Sequence, residues 1–277
     1  MAIDRRNLGR LAAWGAGAAA AAQFAPSVVV LGQWTPLRSL PGPLCRWRGP
    51  TEGGVALTFD DGPHPVATPA VLDRLDDLGL RATFFMVGSL AEQRPDLVAE
   101  VARRGHQVET HGYRHEHHLW RTPRWVLADL QAALGAMERC GVHPRWYRPS
   151  FGQAAGSTLA AAAALGLRTV LWSSWGREWA TTDAAAVAAR IGRRLGPGSI
   201  VLLHDSDDFG PPGMWRVGLR SLDAVAERIR SAGLQAVTLD EMVPVEPPAR
   251  TPADTAGRPV GGPPPGSVLQ LVGEAAP

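Results

Sequence analysis

Apolar and polar positions alternate along the middle of the chain in a way that predicts strands and helices in turn. Short apolar runs typical of strands occur at 55–59, 82–87, 107–109, 146–148, 169–172, 199–203 and 235–238. Stretches with apolar residues at helical spacing lie between them, at 67–78, 95–104, 125–140, 157–165, 183–195 and 218–231. This alternation predicts an α/β fold with a mostly parallel sheet, and about seven strands favour an incomplete or distorted (β/α) barrel.

The two ends of the chain differ from this middle. Arginines near the N-terminus precede an Ala-rich apolar stretch, which predicts an export signal or membrane anchor over residues 1–34. Three alanines at 20–22 would suit cleavage, whereas the apolar length would suffice to span a bilayer, so both alternatives stay open. Composition further predicts a linker at 35–53, one compact domain at 54–243 and a Pro/Gly-rich disordered tail at 244–277.

Composition and charge narrow the class of protein. The chain has 277 residues, is 45% hydrophobic and carries a net charge of +2, which suits a packed globular domain. It contains no lysine and its arginines are scattered, so no nucleic-acid partner is expected. Cys45 and Cys140 lack metal-finger or CxxC spacing, which favours two free thiols over a disulfide. A monomer is expected.

Polar residues follow several of the predicted strands. Asp60 and Asp61 come after the first strand, His111 after the third, Arg148 after the fourth and His204 at the end of the sixth. Because the carboxyl ends of parallel strands share one edge of a sheet, we expect these five side chains to lie close together.

Two histidines and a carboxylate could form a metal site. His111 and His115 are four residues apart, a spacing that on one helical turn places two imidazoles on a common face. With Asp61 they would leave coordination positions open, as in catalytic metal sites. Neighbouring residues at a strand end point in different directions, so Asp60 could stay free to accept a proton.

Other residues suit supporting roles. Arg148 beside Asp60 would keep that carboxylate ionised, and His204 is a candidate general acid because histidine titrates near neutral pH. Trp172 is expected to pack in the interior. Asp205 is expected in a solvated loop, with the alternative that it orients a neighbour.

Three strings resemble motifs of the polysaccharide deacetylase family, also called the NodB-homology or carbohydrate esterase family 4 domain. They are TFDDGP at 58–63, RPSFG at 148–152 and LLHD at 202–205, and the resemblance covers residues 54–243. It implies a distorted (β/α) barrel. The roles it implies are Asp60 as general base, Asp61, His111 and His115 as metal ligands, Arg148 as partner of the base, and His204 as general acid.

The chain departs from the family pattern at several positions. Gly112 stands where the family usually has Ser or Thr after the first metal histidine, and Ser150 and Phe151 occupy the usual proline or aromatic positions after Arg148. Glu178 replaces an aspartate that tunes the acid histidine, and is therefore included among the catalytic residues. Trp175 and Trp179 suit stacking on sugar faces. Substrate contacts are expected from Phe151, Gly152, Trp175, Trp179 and Leu203.

The resemblance implies a metal-dependent hydrolase that removes N-acetyl groups from an amino-sugar polysaccharide and releases acetate. Zinc is the expected ion, with cobalt or another divalent ion as alternatives. Peptidoglycan is the first substrate to consider for an exported or membrane-anchored envelope protein, and chitin-like oligomers, poly-N-acetylglucosamine and acetylated xylan stay open. Three rival hypotheses are an O-acetyl xylan-type esterase, a catalytically weak carbohydrate-binding protein and a non-haem iron oxygenase, which also uses two histidines and one carboxylate.

Overall fold

A computed structural model describes residues 17–18, 20–24, 45–52 and 54–244. The chain divides into two compact units, 1–244 and 245–277, and the second lies outside the described residues. The predicted tail is described only at its first residue, and the predicted export signal or anchor only at 17–18 and 20–24. In the described part of the chain, no helix has the length and apolar character needed to cross a bilayer.

The described residues form one sheet of parallel strands. The strands are β1 (Cys45–Arg46), β2 (Val55–Asp60), β3 (Thr83–Met86), β4 (Gln107–Thr110), β5 (Trp146–Tyr147), β6 (Arg168–Val170), β7 (Ser174–Trp175), β8 (Ile200–His204) and β9 (Ala236–Val237). Hydrogen bonding orders eight of them as β1-β6-β5-β4-β3-β2-β8-β7, and β9 pairs with β2. The sheet is curled, and the end strands β1 and β7 do not pair with each other in the described residues. The barrel is therefore open and distorted, which confirms the predicted (β/α) fold.

Helices connect the strands. They are α1 (Ala67–Leu78), α2 (Gly88–Gln93), α3 (Pro95–Arg103), α4 (Pro123–Arg139), α5 (Gly156–Ala164), α6 (Ala184–Gly192), α7 (Met214–Ser231) and α8 (Leu239–Met242). The six predicted helices are all present, and α1 has the predicted bounds. Helices α2 and α8 were not predicted, because each is too short for an apolar period to show.

The main core lies between the centre of the sheet and the helices that cover it. Leu57 and Phe59 of β2 are buried in one cluster with Leu203 of β8, Leu72 of α1 and Leu222 of α7. The six residues of β2 are all buried, as expected for a parallel strand covered on both faces. The strand ends that carry the polar residues therefore rest on a rigid, densely packed base.

The folded body begins earlier than the predicted boundary at residue 54. Strand β1 pairs with β6, so residues predicted as linker belong to the sheet. The Arg48 guanidinium donates hydrogen bonds to the carbonyls of Pro197 at 2.9 Å and Arg194 at 3.1 Å. Cys45 and Cys140 are free thiols, as expected.

Candidate active site

The polar residues predicted to converge do lie at one edge of the sheet. Asp60 and His204 are the last residues of β2 and β8, and the register of this strand pair places them opposite each other. His111 directly follows β4, and Arg148 directly follows β5. Residues paired across neighbouring strands point to the same face, so a carboxylate and an imidazole stand side by side there.

Asp61, His111 and His115 form a cluster that could hold one metal ion. Asp61 Oδ1 lies 3.4 Å from His111 Nε2 and 3.2 Å from His115 Nε2. One ligand atom from each of the three residues lies within 4.8 Å of the others. Asp61 has a left-handed backbone with φ of +78°, a conformation uncommon outside glycine that turns its side chain away from that of Asp60.

The spacing of the two histidines had suggested a helical turn, but neither histidine lies on a helix. Residues 111–117 form a loop without helix or strand, which we call the ligand loop. Gly112, within it, has a φ of +88°. The imidazoles of His111 and His115 converge because this loop turns back on itself, with ring centroids 5.3 Å apart.

The chemistry of these three side chains fits a divalent cation. His111 Nδ1–H donates to the Arg148 carbonyl at 2.8 Å, which leaves the Nε2 lone pair directed at the cluster. Burial lowers the pKa of His115, so its imidazole is neutral and able to ligate. Burial would raise the pKa of Asp61, but its contacts with the two imidazoles and the positive charge of His204 outweigh burial and hold that pKa below the ordinary value. Two imidazoles and a carboxylate are a donor set that zinc and other first-row metals accept.

Asp60 borders the cluster and is paired with Arg148. Arg148 is fully buried, and its Nη1 donates to Asp60 Oδ1 at 2.7 Å and to Thr58 Oγ1 at 2.8 Å. The second oxygen, Asp60 Oδ2, is 4.0 Å from His111 Nε2. The buried guanidinium thus holds one carboxylate oxygen of Asp60 and leaves Oδ2 free to accept a hydrogen bond.

His204 is held by Glu178. His204 Nδ1–H donates to Glu178 Oε1 at 2.7 Å, and His204 Nε2 lies 3.9 Å from Asp61 Oδ2. Burial lowers the pKa of His204, but the charge and hydrogen bond of Glu178 outweigh burial and raise the pKa to about 9. The longer glutamate at this position therefore reaches the imidazole, and His204 is protonated at neutral pH.

A cavity of about 300 Å³ opens above these residues. It is lined by the cluster, by Asp60 and His204, and by five aromatic side chains: Phe151, Trp172, Trp175, Trp179 and Phe209. Three of the aromatics form a continuous wall, since the ring centroids of Trp172 and Trp175, and of Trp175 and Trp179, are each 5.6 Å apart. Trp179 then meets His204 edge-on at 5.5 Å. Flat apolar walls beside a few polar groups suit the faces of a sugar ring.

The structure corrects the predicted placement of Leu203 along this cavity. Phe151, Gly152, Trp175 and Trp179 line it, but the Leu203 side chain is fully buried in the main core. The preceding residue, Leu202, lines the cavity instead, because successive side chains of a strand point to opposite faces.

Trp172 was expected in the interior, and it lines the cavity. A Cβ placed on Gly152 would lie 2.5 Å from the Trp172 ring, so glycine is what allows these two residues to meet.

Sequence reasoning missed Phe209 and the burial of Asp205. The Phe209 ring stacks on that of His115 with centroids 4.3 Å apart. The sequence did offer one sign of this role, because Phe209 follows a predicted strand that ends in a candidate site histidine. Asp205 was expected in a solvated loop but is 1% exposed. Its Oδ2 accepts from Thr68 Oγ1 at 2.5 Å, and burial raises the pKa of Asp205 to about 7. Asp205 thus ties the loop after β8 to helix α1, in line with the alternative that it orients neighbouring residues.

Comparisons with known proteins agree with this arrangement. Residues 48–170 match the model of the polysaccharide deacetylase family. The chain is 32% identical over 193 residues to the peptidoglycan-N-acetylglucosamine deacetylase PgdA of Listeria monocytogenes serotype 1/2a (strain 10403S), an alignment covering 69% of this chain and 39% of that enzyme. The chain thus spans about two fifths of the length of that relative.

Two further comparisons cover more of the related protein. The chain is 35% identical over 161 residues to a chitooligosaccharide deacetylase of Bradyrhizobium sp. (strain ANU 289), covering 57% of this chain and 72% of that protein. Its structure is similar to the crystal structure of a peptidoglycan N-acetylglucosamine deacetylase in complex with an N-hydroxybenzamide compound. That likeness has a TM-score of 0.69 and 29% identity, and covers 76% of this chain and 97% of the other.

Proposed function

Since the chain belongs to the polysaccharide deacetylase family, we propose that it is a metal-dependent hydrolase that removes N-acetyl groups from an amino-sugar polysaccharide and releases acetate. The observation that carries the proposal is the placement of Asp60 and His204 on paired strand ends beside the Asp61, His111 and His115 cluster. A base, an acid and a cation site within one aromatic-walled cavity are the groups that hydrolysis of an acetamide requires.

Asp60 and His204 would move the protons of this reaction. Asp60 Oδ2, on a carboxylate whose other oxygen is held by Arg148, accepts a proton from the water that attacks the acetyl carbonyl. His204 carries a proton at neutral pH and donates it from Nε2 to the departing amine, while Glu178 holds the ring through Nδ1. A divalent ion held by Asp61, His111 and His115 would supply Lewis-acid polarisation of the carbonyl. Acetate and a free amino sugar result.

The aromatic wall would orient the sugar. Trp175 and Trp179 offer ring faces and edges beside His204, which suits the apolar face of a pyranose. Phe151 is 47% exposed at the rim, where it stacks on His117 with centroids 3.8 Å apart. These contacts would place the acetamide between Asp60 and His204 and leave the rest of the glycan in solvent.

The cell envelope is the proposed place of action, with peptidoglycan as the first substrate and zinc as the ion. Relatives named for peptidoglycan and for chitooligosaccharide deacetylation support an N-acetylglucosamine-containing glycan. Export through the N-terminal segment, and any membrane attachment there, belong to the same proposal and rest on the sequence pattern of residues 1–34.

Acetate release from a panel of glycans tests the proposal. Zinc-loaded protein is incubated with peptidoglycan, chitooligosaccharides, poly-N-acetylglucosamine and acetylated xylan, and free acetate is measured. We expect release from the N-acetylated glycans and a loss of about 10²- to 10⁴-fold in Asp60→Asn. Asp96→Asn, a matched change in the first turn of α3, should retain activity. Release from xylan alone would favour the O-acetyl esterase, and glycan binding without any release would favour the binding protein.

A further inference from the structure

A buried carboxylate on helix α4 contacts the ligand loop. Asp129 is 1% exposed, and it lies on the face of α4 that is turned toward the sheet. Its Oδ2 accepts a hydrogen bond from the Tyr113 backbone N–H at 3.0 Å, and its Oδ1 accepts one from the Arg114 backbone N–H at 3.2 Å. One side chain therefore satisfies the two consecutive amides that directly precede His115.

The carbonyl groups of the same loop are satisfied from another element. The N–H groups of Gly88 and Ser89, in the first turn of α2, donate to the carbonyls of Gly112 at 2.8 Å and Tyr113 at 3.1 Å. Helix α2 thus binds the carbonyl groups of the loop, and Asp129 binds two of the loop's N–H groups. Because the loop has no ladder of its own, its conformation depends on these outside partners.

Gly112 allows the carboxylate to come this close. A Cβ placed on Gly112 would lie 3.2 Å from Asp129 Oδ2, tighter than an ordinary contact, and the φ of +88° disfavours other residues. In the family pattern described above, Ser or Thr usually stands here. This chain combines a glycine after the first metal histidine with a carboxylate that reaches the loop from α4.

We infer that Asp129 is a positioning residue that fixes the ligand loop and thereby places the His115 imidazole for metal binding. Without it, the Tyr113 and Arg114 amides would lose their acceptor and the loop would relax toward water, taking His115 Nε2 away from its position 3.2 Å from Asp61 Oδ1. The inference rests on the proposed function only in treating His115 as a metal ligand.

Zinc affinity of purified protein tests the inference without any glycan. Competition with a chromophoric chelator should show the zinc Kd of Asp129→Ala raised by about tenfold to a hundredfold, the range found when partners behind a ligand are removed. Asp129→Asn should give a smaller rise, because its amide oxygen can still accept one of the two hydrogen bonds. Glu138→Ala, an exposed position on the same helix, should bind zinc as the wild type does. An unchanged Kd in folded Asp129→Ala would overturn the inference.

Amide hydrogen exchange of the metal-free protein gives a second readout. The Tyr113 and Arg114 amides should exchange faster in Asp129→Ala while those of β2 keep their protection, and unchanged protection at both amides would overturn the inference. If Asp129→Ala does not fold, Gly112→Ala tests the same contact, since it keeps the carboxylate but crowds it. Wild-type zinc affinity in both Gly112→Ala and Asp129→Asn would then count against the inference. Wild-type protein that binds zinc but releases no acetate would refute the proposed function and leave this inference standing.

Discussion

The protonation of His204 depends on Glu178. The two side chains share a hydrogen bond of 2.7 Å, and the Glu178 side chain is fully buried, so solvent screens its charge little. This interaction offsets the burial of the imidazole and leaves its pKa at about 9. A general acid, the role proposed for His204, must carry its proton at the start of the step, and the pair keeps the imidazole protonated across neutral pH.

Replacing Glu178 by glutamine should move the alkaline limit of activity. A group with a raised pKa stays protonated until the pH passes that value, so wild-type activity should decline near pH 9. Glu178→Gln keeps an acceptor but removes the charge, which lowers the His204 pKa and shifts the decline to lower pH. The pH profile of kcat for acetate release measures this shift. Glu227→Gln on the surface of α7 should leave the profile in place, and an unshifted limb in Glu178→Gln would contradict the assignment.

Local motifs predicted the chemistry of individual residues, but they predicted less well which neighbours surround those residues in the fold. Asp60 and His204 each end an apolar run, and the end of that run is visible in the sequence. The burial of Asp205 and the position of Asp129 have no such local sign. Both depend on contacts with residues far away along the chain, at Thr68 and Tyr113.

Strand β8 divides its side chains between two environments. Leu203 faces the core beside Phe59, its neighbour in the β2 register, while Leu202 lines the cavity. The motif that includes both leucines does not say which of them faces substrate. The pleat of the strand, fixed by its neighbours, assigns one residue to stability and the other to the cavity.

Alanine substitution of these two leucines should separate the two roles. Leu203→Ala should lower the free energy of unfolding by about 2 to 5 kcal/mol, because it opens a void in the core. Leu202→Ala should change stability less and raise KM for the glycan. Urea unfolding and steady-state acetate release measure the two effects. A larger loss of stability in Leu202→Ala than in Leu203→Ala would contradict the assignment of the two faces.

The longer elements were predictable, and the two-residue strands were predictable only in part, since the predicted runs 146–148 and 235–238 cover β5 and β9 but no predicted run covers β1 or β7. Helix α1 repeats its apolar spacing often enough to be recognised, and it ends at Gly79, which adopts a φ of +65° and closes the helix. Strands β1 and β7 have two residues each, too few for any period. Each forms because a neighbouring strand, β6 or β8, supplies hydrogen-bonding partners.

The candidate metal site exists only in the folded molecule. Asp61 follows β2, whereas His111 and His115 lie in the loop after β4, and the sheet brings the two segments together. An ion bound there would join segments that are separated by strands β3 and β4 and helices α1 to α3. The rival iron oxygenase hypothesis expects an all-β scaffold, and the parallel sheet with covering helices argues against it.

Zinc should therefore stabilise the whole domain. At a free concentration of about one hundred times Kd, binding to the folded state alone adds about 2.7 kcal/mol to the free energy of unfolding. For a domain of this size that corresponds to a rise in Tm of about 5 to 10 °C. Thermal unfolding with zinc and with excess chelator measures the difference. The Tm of His115→Ala should change little with zinc or with chelator. If its Tm rises with zinc as much as that of the wild type, the ion binds elsewhere.

The order of strands and helices, and the polar residues that end the strands, were readable from the sequence because apolar periodicity and motif spacing are local properties of the chain. The pairing of Asp60 with His204 followed from the β2–β8 register, which joins residues far apart in sequence. The same holds for the turn of the ligand loop, held by Asp129 and α2, and for the choice of Leu202 over Leu203 along the cavity. These features depend on which segments pack against each other, and packing is settled only when the whole sheet and its helices assemble.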